Sequence, residues 1–129
     1  MGPPYTNLIL DLDGTLYRGS QPLPGAVGAM ARLRDTCQIL FLSNNCNQSA
    51  GHLAQRLCRL GFEAHPQEVV SSVTLMVEAV NQFGSGLRVL TLSSGDLDAA
   101  LEEAGHRIVK EDPAEVVVVG VDAGFGYDR

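Results

Sequence analysis

Apolar and polar positions along this chain fall into two alternating periods. Leu8-Ile9-Leu10 is a short apolar run flanked by polar residues. Residues 7–12 therefore have the length and composition of a buried parallel strand. Over residues 24–34, Val27, Met30, Ala31 and Leu33 give the apolar side of a predicted helix. Residues 38–42 predict a second strand. Leu53, Leu57 and Leu60 then recur at helical spacing, with Asn47 or Ser49 as the expected cap and Gly61 as the stop. Val73, Met76, Val77 and Val80 predict a helix over 72–83. A strand is expected at 88–92, and a helix at 96–104 capped by Ser94 or Asp96 and ended by Gly105. A β-branched strand follows at 115–119. Residues 14–23 and 120–129 carry no period and read as loop and tail. Strands alternating with helices imply βαβ units, a parallel sheet and an α/β fold. Gly84-Ser85-Gly86 reads as a linker between two ordered patterns.

Composition narrows the class. The 129 residues suit one compact domain, or one and a fraction. Apolar residues make up 45%, enough for a core, and the absence of Trp makes that core aliphatic. The net charge of −6, with scattered basic residues, argues against a nucleic-acid surface. No segment is apolar enough to span a membrane, and the first residues lack the pattern of a signal peptide. Cys37, Cys46 and Cys58 form no ligand spacing. Cys37 and Cys58 are expected to be buried thiols, with Cys46 within reach of solvent, in a reducing cytoplasm.

The chemistry concentrates where the first strand ends. Asp11 and Asp13 are two residues apart, so on a strand they point to one side. They stand at the strand's C-terminal end, where open α/β sheets hold their ligands. Two carboxylates this close repel each other unless a cation or a proton intervenes. Either a metal is bound there or one carboxyl stays protonated. Gly14 permits the turn away from the site. Thr15 is expected to cap the loop or to support Asp11 by a hydrogen bond.

The string Asp11-Leu12-Asp13-Gly14-Thr15-Leu16 resembles the first motif of the haloacid dehalogenase superfamily. Tyr17-Arg18-Gly19 with Pro24-Gly25-Ala26, Phe41-Leu42-Ser43-Asn44-Asn45 and Val118-Val119-Gly120-Val121-Asp122 narrow the likeness. Together they resemble the branch of NagD-like, 4-nitrophenylphosphate, phosphoglycolate and pyridoxal phosphate phosphatases. The resemblance implies a Rossmann-like parallel core followed by an α/β cap. Residues 1–84 match the N-terminal part of the core, and residues 85–129 match the opening half of the cap. It also implies a magnesium-dependent phosphomonoesterase acting on a small phosphorylated metabolite. Asp11 would be the nucleophile and a magnesium ligand. Asp13 would be the acid and base, with its backbone carbonyl on the metal. Ser43, Asn44 and Asn45 would form the phosphate cradle. Association of copies through the cap is compatible with this branch.

Other candidates carry bland readings. Arg18 reads as a solvated loop residue. His52, His65 and His106 lack metal-ligand neighbours in sequence. Asp96 and Asp98 read as helix-start acids, and Asp122 is left outside the site. The family's motif lysine and late acidic pair have no counterpart here, since Lys110 lies in the cap-like region. The 129 residues alone are therefore expected to be a weak or inactive enzyme and a marginal fold. Two rival classes are a remnant that binds phosphate or pairs with another chain, and a receiver-like signalling domain. A receiver would need its acceptor Asp at the end of a middle strand, where this chain carries serine.

Overall fold

The computed structural model describes residues 5–111, 113–122 and 124. Residues 125–129 of the expected tail, including Phe125 and Tyr127, lie outside the described residues. The chain divides into two packed units.

The first unit comprises residues 5–44 with Ala50–Ser71. Strand β1 (Asn7–Asp11) leads into a two-residue hairpin, β2 (Tyr17–Arg18) and β3 (Gln21–Pro22). Helix α1 (Ala26–Arg34), strand β4 (Gln38–Ser43) and helix α2 (Ala50–Arg59) follow. A short 3-10 turn, Pro66–Glu68, runs into strand β5 (Val69–Ser71). The sheet has order β1-β4-β5 and both pairings are parallel. The hairpin sits within the segment expected to be loop. Helix α1 begins two residues later than expected, because Gly25 at its N-cap adopts a left-handed φ of 77°. Strand β5 lies in a stretch with no predicted element. Its three residues are too few to show a period, and the ladder to β4 holds them.

One sheet face carries the core. Leu12, Tyr17, Phe41, Leu53 and Leu57 are fully buried, with Ile39, Met30, Phe62 and Val69 around them. The opposite face stays open: Ile9 is 67% and Leu42 45% exposed. Arg34 ties α1 to the turn before β5. Its guanidinium donates to both Glu68 carboxylate oxygens at 2.7 Å and to the Glu63 carbonyl. Glu68 also accepts the His65 backbone N–H at 2.9 Å. The Arg34 bond holds the Glu68 carboxyl below its ordinary value, against the opposing effect of burial.

Cys37 is buried as expected, and its thiol donates to the Tyr5 carbonyl at 3.1 Å. Cys58 is exposed, which corrects the sequence expectation. The buried face of α2 is formed by Leu53, Ala54 and Leu57, and Cys58 lies one residue off it.

The second unit comprises Asn45–Ser49 with the residues from Ser72 onward. It contains helix α3 (Ser72–Asn81), strand β6 (Arg88–Leu92), helix α4 (Leu97–Glu103), strand β7 (Arg107–Val109) and strand β8 (Val116–Val119). Its parallel sheet has order β7-β6-β8. Val73 and Val80 of α3 pack with Val89, Leu97 and Leu101. Helix α3 thus belongs by packing to this unit, and Gly84-Ser85-Gly86 is a turn inside it. The linker reading followed glycine content, whereas the division follows where the apolar face of α3 is buried. His106 is buried and fixed at both nitrogens: Nδ1 accepts the Leu87 N–H at 3.3 Å, so Nε2–H donates to Asn81 Oδ1 at 2.8 Å.

Candidate active site

Asp11 is the last residue of β1, and Asp13 follows after fully buried Leu12. Leu12 anchors the turn from the core side, and both carboxylates are exposed. The turn is held by the Thr15 and Leu16 N–H groups, which donate to the Leu12 carbonyl at 3.2 and 2.9 Å. Gly14 sits at φ 82°, a conformation open to glycine. The Thr15 hydroxyl donates to Asp11 Oδ2 at 3.5 Å, the supporting bond expected of it.

Strand β4 lies beside β1 and runs parallel to it, with Asp11 in register with Leu42. Ser43 therefore ends β4 one residue further along the same sheet edge. Ser43 is buried, in register with buried Ser71 of β5, and Asn44 after it is exposed. By strand alternation Ser43 shares the face of Ile39 and Phe41, whereas Asp11 shares the open face of Ile9. The strands thus bring Asp11 and Ser43 to one edge from opposite faces of the sheet.

Asn45 belongs to the second unit. Its carboxamide oxygen accepts the Asn47 and Gln48 N–H groups at 2.9 and 2.8 Å. This is an Asx-type turn: the side chain shapes the loop that follows. Asp96, also in this unit, stands at the N-cap position of α4 but makes no capping bond. Its carboxylate instead accepts the Ser49 N–H at 2.6 Å. Asp98 accepts the Thr91 hydroxyl at 2.6 Å. Both acids stand at the start of α4 as expected, Asp96 at the N-cap and Asp98 in the first turn, but the Asp96 carboxylate is committed to Ser49 and caps no N–H of that helix.

A cluster around Asp13 was not visible in the sequence. The Tyr17 hydroxyl donates to Asp13 Oδ2 at 3.4 Å from a fully buried ring. The Arg56 guanidinium stacks 4.6 Å from the centre of that ring, and its Nη2 donates to the Gly19 carbonyl at 2.8 Å. Burial raises the Tyr17 phenol above its ordinary value. Arg56 opposes the rise and Asp13 adds to it. Tyr17 is therefore a protonated donor at neutral pH. The signal for this cluster in the sequence is an aromatic residue four positions after Asp13, next to Leu16 in a short loop.

As a donor set, Asp11 and Asp13 offer hard carboxylate and carbonyl oxygens, which suit magnesium or calcium and not a soft metal. They supply part of a coordination shell. Among the described residues no group of three or more His, Cys, Asp or Glu side chains could hold a metal ion.

The profile of the haloacid dehalogenase-like hydrolases matches residues 8–107, from β1 to the start of β7. The chain belongs to this family. Its similarity to a D-glycerol 3-phosphate phosphatase of Mycobacterium tuberculosis is 36% identity over 123 residues, which is 93% of this chain and 34% of that protein. A crystal structure of a glycerol phosphate phosphatase from the same organism, in complex with magnesium, matches at TM-score 0.81 and 35% identity, covering 95% of this chain and 37% of that one. A p-nitrophenyl phosphatase from Archaeoglobus fulgidus matches at TM-score 0.88 and 28% identity, covering 98% and 49%. The chain spans between about a third and a half of the length of these relatives. The Rossmann-like α/β architecture of this haloacid dehalogenase-like hydrolase is shared with those structures. No helix among the described residues is long and apolar enough to cross a membrane.

Proposed function

We propose that this chain carries the nucleophile half of a magnesium-dependent phosphomonoester hydrolase that works through an aspartyl-phosphate on Asp11. The observation behind the reading is the pair of exposed carboxylates at the end of β1, beside the end of β4, in a member of the haloacid dehalogenase-like hydrolases. In this reading an Asp11 carboxylate oxygen attacks phosphorus, and the bond to the ester oxygen breaks. The Asp13 carboxyl gives its proton to that oxygen as the alcohol leaves. The Asp13 carboxylate then takes a proton from water, whose oxygen attacks phosphorus and frees phosphate and Asp11. Ser43 and Asn44 donate to the phosphate oxygens, and Asn45 shapes the loop that follows them. The Asp11 carboxylate and the Asp13 carbonyl would hold the magnesium. When bound, it supplies positive charge against the phosphate and the nucleophile.

The same proposal covers extent, substrate and setting. Residues 1–84 are read as the N-terminal part of the core and residues 85–129 as the opening half of the cap, and the packing of α3 in the second unit favours a border nearer Ser72. The substrate class is a small phosphorylated metabolite, in keeping with relatives named for glycerol phosphate and p-nitrophenyl phosphate. A reducing, cytoplasmic setting fits three cysteines that are all free thiols. The test is hydrolysis of 4-nitrophenyl phosphate by the protein expressed from its complete reading frame, with and without magnesium. Asp11→Asn is expected to reduce turnover by at least about 10³-fold, as loss of a covalent nucleophile does elsewhere. Undiminished turnover in that variant would refute the mechanism.

A further inference from the structure

We propose that Tyr17 is a positioning residue for the Asp13 carboxyl, and that Arg56 holds Tyr17 in place. The inference rests on the assignment of Asp13 as acid and base and adds the device that aims it. Asp13 is exposed and lies outside the regular strand, so β1 alone does not fix its side chain. Two links tie it to Tyr17. One is backbone: Asp13 and Tyr17 form an isolated bridge, and the Gly14 N–H donates to the Tyr17 carbonyl at 2.8 Å. The other is the hydroxyl-to-carboxylate bond at 3.4 Å. That length is long for O–H···O, as bonds at catalytic carboxyls often are before substrate binds.

Tyr17 is well suited to the task because its ring is immobile. It is fully buried in the core that also holds Leu12, Phe41, Leu53 and Leu57. Burying a hydroxyl without a partner is costly, and Asp13 Oδ2 is the partner this one has. Arg56 closes the arrangement from α2. It covers the ring face and grips the Gly19 carbonyl at the tip of the β2–β3 hairpin. A cation over an aromatic ring is attracted by the negative face of that ring, and the contact resists rotation of the side chain. The hairpin, the ring and the acid are therefore tied to one helix.

Positioning of a general acid has a signature that general loosening lacks. An alkoxide leaving group needs a proton from the acid, whereas 4-nitrophenolate leaves largely without one. The test uses the protein from its complete reading frame with 4-nitrophenyl phosphate and an alkyl phosphomonoester. Tyr17→Phe keeps the buried ring and removes only the hydroxyl. It is expected to lower kcat/KM, which reports the step in which the alcohol leaves, about 10-fold on the alkyl ester and about 2-fold on the aryl ester, a modest part of the 10²–10⁴ that general acids contribute. Arg56→Gln is expected to show the same asymmetry at about 3-fold, and it decides the question if Tyr17→Phe does not fold. Equal losses on both substrates would overturn the inference. If Asp11→Asn keeps turnover, the underlying mechanism fails. If Asp11→Asn is inactive and Asp13→Asn shows the asymmetry while Tyr17→Phe does not, only the role of Tyr17 fails.

Discussion

Replacing Glu68 by Gln keeps the side-chain volume and removes the charge that Arg34 grips. The pair is bidentate, with both N–H···O distances at 2.7 Å, and the two side chains are only 16% and 22% exposed. Such a pair differs from a surface ion pair worth about 0–1 kcal/mol. Charge-assisted bonds at this burial are worth about 1.5–3 kcal/mol, and Arg34 keeps its bonds to the Glu63 carbonyl in the variant. A loss of about 2 kcal/mol at neutral pH follows, or roughly 8 °C in Tm for a chain of this size. The pH dependence makes the estimate specific. The Glu68 carboxyl lies below its unfolded value when folded, chiefly through the Arg34 bond. The stability it supplies is therefore fully present above the unfolded carboxylate value. It is lost as pH falls through the lower, folded value. Urea denaturation of parent and variant, followed by circular dichroism at pH 7 and at successively lower pH, measures this. The gap between the two should shrink toward zero in acid. A gap that stays constant with pH, or one below about 0.5 kcal/mol at pH 7, would refute the reasoning.

Two further outcomes are expected. Gly95 lies at φ 92°, and a Cβ there would collide with the Asn47 carbonyl, so Gly95→Ala should cost about 2 kcal/mol or more and appear as a lowered urea midpoint. A thiol reagent should label exposed Cys58 first and buried Cys37 last in the native protein, and labelling of Cys37 before Cys58 would contradict the packing of α2.

Much of the fold was legible in residue order because long elements carry a period. The apolar runs of β1, β4 and β6 and the spacing of Leu53 and Leu57 on α2 are strong local signals. Strands β5 and β7 were not legible. Three residues such as Val69-Val70-Ser71 make barely more than one alternation, and only their parallel partners specify them. The placement of Asp11 and Asp13 followed from a strand ending in two spaced carboxylates. Their surroundings did not follow, because the Tyr17, Arg56 and Asp13 contact joins a hairpin to a helix 39 positions beyond Tyr17 in the sequence. Cys58 was misplaced because an apolar face read from leucine spacing has fuzzy borders, and a residue one step off the stripe can turn outward. Asp96 reads as a helix cap from its position, yet its carboxylate is claimed by a backbone N–H 47 residues earlier.

The second unit is assembled from two separate pieces of chain, and this limits how the protein can be taken apart. Asn45–Ser49 lies between β4 and α2 in the sequence, yet it packs with the residues from Ser72 onward. The Ser49 N–H on Asp96 and the Asp96 N–H on the Asn47 carbonyl are the fastenings. A cut at Ser71 would leave those fastenings on the wrong fragment. Any exchange of this unit between relatives must therefore transplant a five-residue loop together with the downstream segment, with Gly95 among the residues carried. The modular border drawn along the sequence and the one drawn through the packed molecule are different lines, and recombination that respects only the former would yield chimaeras with an undocked loop.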